Sequence, residues 1–356
     1  MMHRIFVINP GSTSTKIAIF EDEQQVYTKS LQHTAEDLES YTTFVQQFEF
    51  RRDLIVKVLR QEGVQTDDFA VIMGRGGVLR PIPSGVYEVN DAMLQDLIHG
   101  RYGEHASNLG GMIAKDLADK THACKAFIAD PVVVDELAPV ARISGSPLFP
   151  RISIFHALNQ KAVAKRYAKS VGKPYEDLNL IVAHLGGGIS IGAHVGGQVV
   201  DVNNALGGEG PMSPERAGSL PALGLAQLCF SGKYSMEDVK KMILGQGGLM
   251  AHLGTNQFRL ICDNIHEGDA EAALVVDAMA YQVAKYIAGK TAVMHGKVDA
   301  IILTGGMAYD AHFVEDIRSR VAFLAPVVVY PGEDEMSALA LNGLAVLRGE
   351  ETLKTY

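Results

Sequence analysis

Tryptophan is absent, and only three of the 356 residues are cysteine: Cys124, Cys229 and Cys262. They are scattered and form no C-x-x-C pair. Neither a disulfide framework nor a thiolate metal knuckle is expected, and reduced thiols in a cytoplasmic protein are the simple reading. No apolar run approaches the ~18 residues of a membrane-spanning helix. The first apolar run is interrupted by Asn9-Pro10-Gly11, so no signal-peptide core is expected. Positive charge is in deficit: 32 Lys and Arg against 41 Asp and Glu give a net charge of −9, with no basic stripe. Nucleic acid and anionic membrane surfaces are therefore poor partners, and any site that handles anions must gather its cations locally.

Apolar residues make up 47% of the chain, and there are 36 glycines. This length suits two domains, with well-filled cores and much glycine in loops. Strand-like and helix-like segments alternate, which reads as α/β. The pattern predicts strands at 71–73, 126–129, 300–303 and 327–330. It predicts helices opening after a cap at Asp91, over 105–118, from about His156 to 171, over 270–294, from Asp310, and over 336–347. Residues 148–154, with Pro150 inside the stretch and Pro147 just before it, read as a connector.

Three turns carry the chemistry. The first is Asn9-Pro10-Gly11-Ser12-Thr13-Ser14-Thr15-Lys16, between the apolar runs 5–8 and 17–20. Its N–H groups, hydroxyls and lysine suit phosphate oxygens. A strand follows it and the Gly-x4-Gly-Lys spacing is absent, so it is not a Walker A loop. Half a chain later His184-Leu185-Gly186-Gly187-Gly188 repeats the strand–turn–strand pattern, which suggests an internal duplication. The third, Thr304-Gly305-Gly306-Met307-Ala308, lies between a strand and a helix. Together they fit two phosphate-gripping hairpins and an adenosine-holding turn.

With Gly74-Arg75-Gly76-Gly77 and Pro214-Glu215-Arg216-Ala217-Gly218, these segments run through almost the whole chain. In them it resembles the acetokinase family of the acetate/sugar kinase–Hsp70–actin superfamily. The resemblance implies two ribonuclease-H-like (actin-like ATPase) domains, at 1–150 and 151–336, with mixed sheets flanked by helices and a duplicated core. The helix at 337–356 would pack on the first domain, and the active site would lie in a cleft between domains. It further implies ATP/ADP and Mg2+ as cofactors, and reversible in-line transfer of a phosphoryl group to a short-chain carboxylate. A homodimer or higher homo-oligomer in the cytoplasm is expected. Gly187, where acetate-specific members usually carry asparagine, and the shorter chain favour butanoate or a branched or shorter relative. Gly207, in place of a proline, would leave room for extra methylenes. The alternatives are acetate or propionate as acceptor, a superfamily kinase acting on a hydroxyl, or a nucleotide-dependent switch without enzymatic activity.

A carboxylate is already deprotonated near neutral pH, so no general base is needed. The demand is for cations, histidine donors and a metal around the transferring group. Arg75 and Arg216 offer planar forks for carboxylate or phosphoryl oxygens. The resemblance makes His156 a donor to that group, adds His105 near the acyl site, and places Asp130 and Glu335 at the metal. Asp130 also counts among the catalytic groups. Nucleotide phosphates fall to Asn9, Ser12, Ser14, Lys16, His184, Gly186, Gly187 and Gly188, and adenosine to Gly305 and Gly306. Gln257 stands where family members commonly have aspartate, which bears on nucleotide preference.

Overall fold

The computed structural model describes residues 2–356. The chain divides into two compact units. One comprises Met1–Val134, Ala157–Asn159 and Asp334–Tyr356, the other Asp135–His156 and Gln160–Glu333.

In the first unit, β1 (Arg4–Pro10), β2 (Ser14–Glu21) and β3 (Gln24–Gln32) form an antiparallel meander. β4 (Val71–Arg75) lies parallel beside β1. β6 (Lys125–Ala129) is parallel to β4, and β5 (Val86–Glu88) is antiparallel to β6. A two-residue strand, Lys354–Thr355, extends the edge. Residues 5–8 of β1 are wholly buried because helices cover both faces of the sheet. Ile72 joins the core of Leu109, Ile113, Ile55 and Leu59, from the helices Asn108–Ala118 and Phe48–Gln61. Its neighbours Val71 and Met73 point the other way, against Gly343 of the helix Glu335–Leu347.

The second unit repeats the scheme. β7 (Leu180–Leu185), β8 (Ile189–Val195) and β9 (Gln198–Val202) form the meander. β10 (Ala300–Gly305) is parallel to β7, and β11 (Val327–Pro331) is parallel to β10. The order β11-β10-β7-β8-β9 reproduces β6-β4-β1-β2-β3, so the duplication expected from the glycine turns is present in the topology. Along β7, Ile181, Ala183 and Leu185 face the core of the helix Ala270–Val293. Leu180 and Val182 face Val163, Ala164 and Ala168 of the helix Ala157–Val171.

Two helix starts differ from expectation. Asn90, not Asp91, caps the helix Asp91–Ile98: its side chain accepts from the Met93 N–H, which leaves Asp91 in the first turn. The next helix begins at Asn108 rather than His105, because His105 Nδ1 accepts from the Ser107 N–H at 3.2 Å and holds that stretch in a local turn.

Candidate active site

In the first unit the candidate residues gather where β1, β4 and β6 end. Asn9 is the next-to-last residue of β1, Arg75 the last of β4, and Asp130 follows β6. The Arg75 guanidinium meets the Glu335 carboxylate with both arms, Nη1 at 2.9 Å from Oε2 and Nη2 at 2.8 Å from Oε1. Asn9 completes the group: its Nδ2 donates to Glu335 Oε2 at 2.8 Å and its Oδ1 accepts from Arg75 at 3.3 Å. Asp130 is 2% exposed and sits at φ +39°, a conformation a non-glycine residue holds only under constraint. Its Oδ1 accepts from Ser84 Oγ at 2.6 Å and the Gly85 N–H at 2.9 Å, while its buried Oδ2 has no hydrogen-bond partner among the described residues.

The turn between β1 and β2 is closed by the Gly11 N–H donating to the Ser14 carbonyl at 2.8 Å. Beneath it lies Arg51, a residue absent from the sequence reading. Arg51 is fully buried and donates to the carbonyls of Gly11 at 2.7 Å, Ser12 at 3.0 Å and Ser14 at 3.2 Å. It also reaches Thr15 Oγ1 at 3.1 Å and Gln47 Oε1 at 2.7 Å. These carbonyls are thus drawn onto the guanidinium beneath the turn. Burial lowers the Arg51 pKa to about 10, which still leaves it charged at neutral pH. His33 Nε2 lies 2.9 Å from Thr15 Oγ1, and burial, reinforced by Arg51, lowers its pKa to about 4. A signal for Arg51 existed: it shares the apolar stripe of Ile55, Val58 and Leu59, the buried face of its helix.

Ser12 and Lys16 are exposed, Lys16 on the face of β2 opposite Thr15 and Ile17. His105 is also exposed, with Nδ1 2.9 Å from Ser107 Oγ.

In the second unit His184, one residue before the end of β7, stacks on His156, with ring centroids 3.7 Å apart and planes 11° from parallel. His184 Nε2 lies 3.3 Å from Glu333 Oε1. His156 immediately precedes the helix Ala157–Val171, and its Nδ1 lies 2.9 Å from Ser190 Oγ. The glycine turn is shaped by these neighbours. A Cβ on Gly186 would fall 2.9 Å from His184 Nε2, and one on Gly188 1.8 Å from Arg216 Nη1. Gly187 is exposed, and its carbonyl accepts from Ser213 Oγ at 2.6 Å. Arg216 donates to the Ala205 carbonyl, and burial lowers its pKa. Glu215 does not engage it by hydrogen bonding and instead accepts from Asn256 Nδ2 at 2.7 Å.

Gly305 closes β10 at φ +91°, and a Cβ there would lie 2.4 Å from the Leu185 carbonyl oxygen. Gly306 beside it is exposed and faces open space. Gly207 packs against Asn204. Its N–H donates to Asn204 Oδ1 at 2.6 Å, and a Cβ would meet the Asn204 amide at 2.5 Å. A tight local turn thus accounts for this glycine. The Gln257 N–H donates to Thr255 Oγ1 at 3.2 Å, just before the helix Phe258–His266.

Two sheets that share a five-strand order, each a meander beside parallel strands with helices on both faces, define a duplicated α/β fold of the actin-like ATPase type. The crystal structure of Porphyromonas gingivalis acetate kinase has this fold. It superposes with a TM-score of 0.79 over 97% of this chain and 100% of that one, at 19% identity. The acetokinase family model matches residues 151–327. Butyrate kinase 1 of Clostridium acetobutylicum is 54% identical over 355 residues, spanning 100% of both chains. A probable butyrate kinase of Bacteroides thetaiotaomicron is 54% identical over 353 residues, spanning 99% of both. The chain belongs to the acetokinase family.

Proposed function

We propose that the protein is an ATP-dependent butyrate kinase: it transfers the γ-phosphoryl group of ATP to butanoate, or to a branched or shorter relative, and releases ADP and the acyl phosphate. The observation that carries this reading is the Arg75 fork, which grips a carboxylate, that of Glu335, with both arms beside Asn9. The full-length likeness to butyrate kinases supports the choice of acid. A hydroxyl acceptor would need a base to deprotonate it, a requirement that a carboxylate acceptor does not impose.

Arg75 and Arg216 then spread charge from the acceptor and the moving phosphoryl group, and His156 donates to it. Asn9, Ser12, Ser14 and Lys16 and the glycines at 186–188 orient the nucleotide phosphates; His184 belongs with them. Gly305 and Gly306 lie against adenosine, and His105 stands near the acyl end. The donor set fits Mg2+. Asp130 keeps a buried oxygen unpaired and Glu335 supplies a second carboxylate, while the described residues contain no closed cage of three or more metal-ligating groups. That suits a cation that takes its other ligands from water and phosphate. When bound, Mg2+ neutralises charge on the phosphates.

Incubation with ATP, Mg2+, hydroxylamine and a panel of acids from acetate to valerate, including isobutyrate, tests the proposal. Hydroxamate is expected with butanoate as the best or near-best acid, because pockets separate single methylenes by only ~10–200-fold. EDTA is expected to abolish product formation while leaving the melting temperature of nucleotide-free protein unchanged. Phosphorylation of a sugar without any acid-dependent hydroxamate would defeat the reading.

A further inference from the structure

Below His156 a file of buried polar side chains runs through the second unit, and its hydrogen bonds have one self-consistent direction. Gln160 Nε2 lies 3.1 Å from the Ser190 carbonyl oxygen, which can only accept, so that end of the amide is the nitrogen. The same Nε2 donates to Ser190 Oγ at 2.8 Å. The amide oxygen therefore faces His194 Nε2 at 3.0 Å, and that nitrogen must carry a proton. His194 is wholly enclosed beside Lys161, and burial holds its pKa well below the ordinary value, so the ring is neutral and its Nδ1 is bare. Tyr175 OH, 2.7 Å from Nδ1, is then the donor. At the other end Ser190 Oγ accepts from Gln160 and, at 3.4 Å, from the His156 N–H. Both lone pairs are occupied, and its proton goes to its remaining neighbour, His156 Nδ1, at 2.9 Å.

We infer that Tyr175, His194, Gln160 and Ser190 form a directional hydrogen-bond chain that fixes His156 as the neutral tautomer with its proton on Nε2. They are positioning residues, acting through His156. The consequence for turnover rests on the proposed role of His156 as a donor to the phosphoryl group: a ring locked this way offers an N–H from Nε2 without having to choose between tautomers. Lys161 serves the same file from the side, held by Glu136 Oε2 at 2.7 Å and the Gly197 carbonyl at 2.8 Å.

Long-range ¹⁵N–¹H spectra of the full chain labelled at the histidine rings test the chain directly. In the wild type, His156 and His194 are both expected as Nε2–H tautomers with unprotonated Nδ1. In Ser190→Ala, His156 should lose its single tautomer while His194 keeps its own, and kcat should fall roughly tenfold with KM values unchanged. Ser190→Thr, which retains the hydroxyl, should restore both. His156 found as Nδ1–H in the wild type, a measurement that depends on no variant folding, overturns the inference. So does an unchanged His156 signal in Ser190→Ala. A lost tautomer with undiminished kcat would uphold the chain and remove His156 from the reaction, separating the two ideas.

Discussion

At the scale of single residues the protein meets its shortage of positive charge by placement. Arg75 ends β4 and grips a carboxylate, and the buried Arg216 meets a backbone carbonyl. Arg75→Ala and Arg216→Ala should each lower kcat by roughly 10²–10³-fold, the cost of removing one preorganised charge, with melting temperatures close to the parent. Near-normal turnover in both would show that the anion clamp lies elsewhere. Arg51 serves the fold differently, as a buried cation neutralised by carbonyl and amide oxygens. Its neighbour His33 makes this corner sensitive to acid. The folded-state pKa of about 4 lies below the ordinary 6.5, so between those values the unfolded chain binds the proton more readily. Stability is complete above that window and declines as pH falls through it, by on the order of 1–3 kcal/mol. His33→Gln should flatten the fall in melting temperature from neutral pH down to pH 4; an equally steep fall would place the acid sensitivity elsewhere.

At the scale of elements, glycine decides how closely a helix approaches the strand that carries Arg75. A Cβ on Gly74 would meet the Gly110 carbonyl oxygen at 2.3 Å, and one on Gly110 would meet the Arg75 carbonyl oxygen at 2.4 Å. Both obstacles are backbone and cannot swing aside. Gly110→Ala is expected to destabilise by about 1–3 kcal/mol, through overpacking, and to lower kcat by shifting Arg75. Unfolding in urea with parallel kinetics checks this, and a stable, fully active variant would count against it. The sequence marked Gly74 through its motif but not Gly110, because a helical glycine pair has no local signature that distinguishes close packing from a weak helix. The cap at Asn90 was missed for a similar reason: Asn90 and Asp91 are both good capping residues, and geometry alone chose between them. The helix Ala270–Val293 and the strand β10, expected at 270–294 and 300–303, were legible to within one or two residues.

At the scale of the whole molecule the duplication visible in two glycine turns became a duplication of strand order. The second unit also presents large apolar side chains to solvent, with Leu223 73%, Phe230 92% and Met236 83% exposed along adjoining helical segments. We propose that a second copy of the chain covers this surface. Sedimentation equilibrium is expected to give twice the 38.4 kDa chain mass, and Phe230→Asp to shift it toward the monomer. A monomeric parent protein would dismiss that arrangement.

The sequence by itself determined the α/β class, the three glycine turns and the family likeness, because each rests on residues adjacent in the chain, where spacing and chemistry are read together. Only the tertiary structure decided which distant side chains meet. Arg51 lies under the first turn from a helix 40 residues on. Glu335 returns to Arg75 across 260 positions. Ser190, Gln160, His194 and Tyr175 line up behind His156. Such contacts follow from assembling each sheet and packing helices on it, a long-range condition that no local pattern in the chain records.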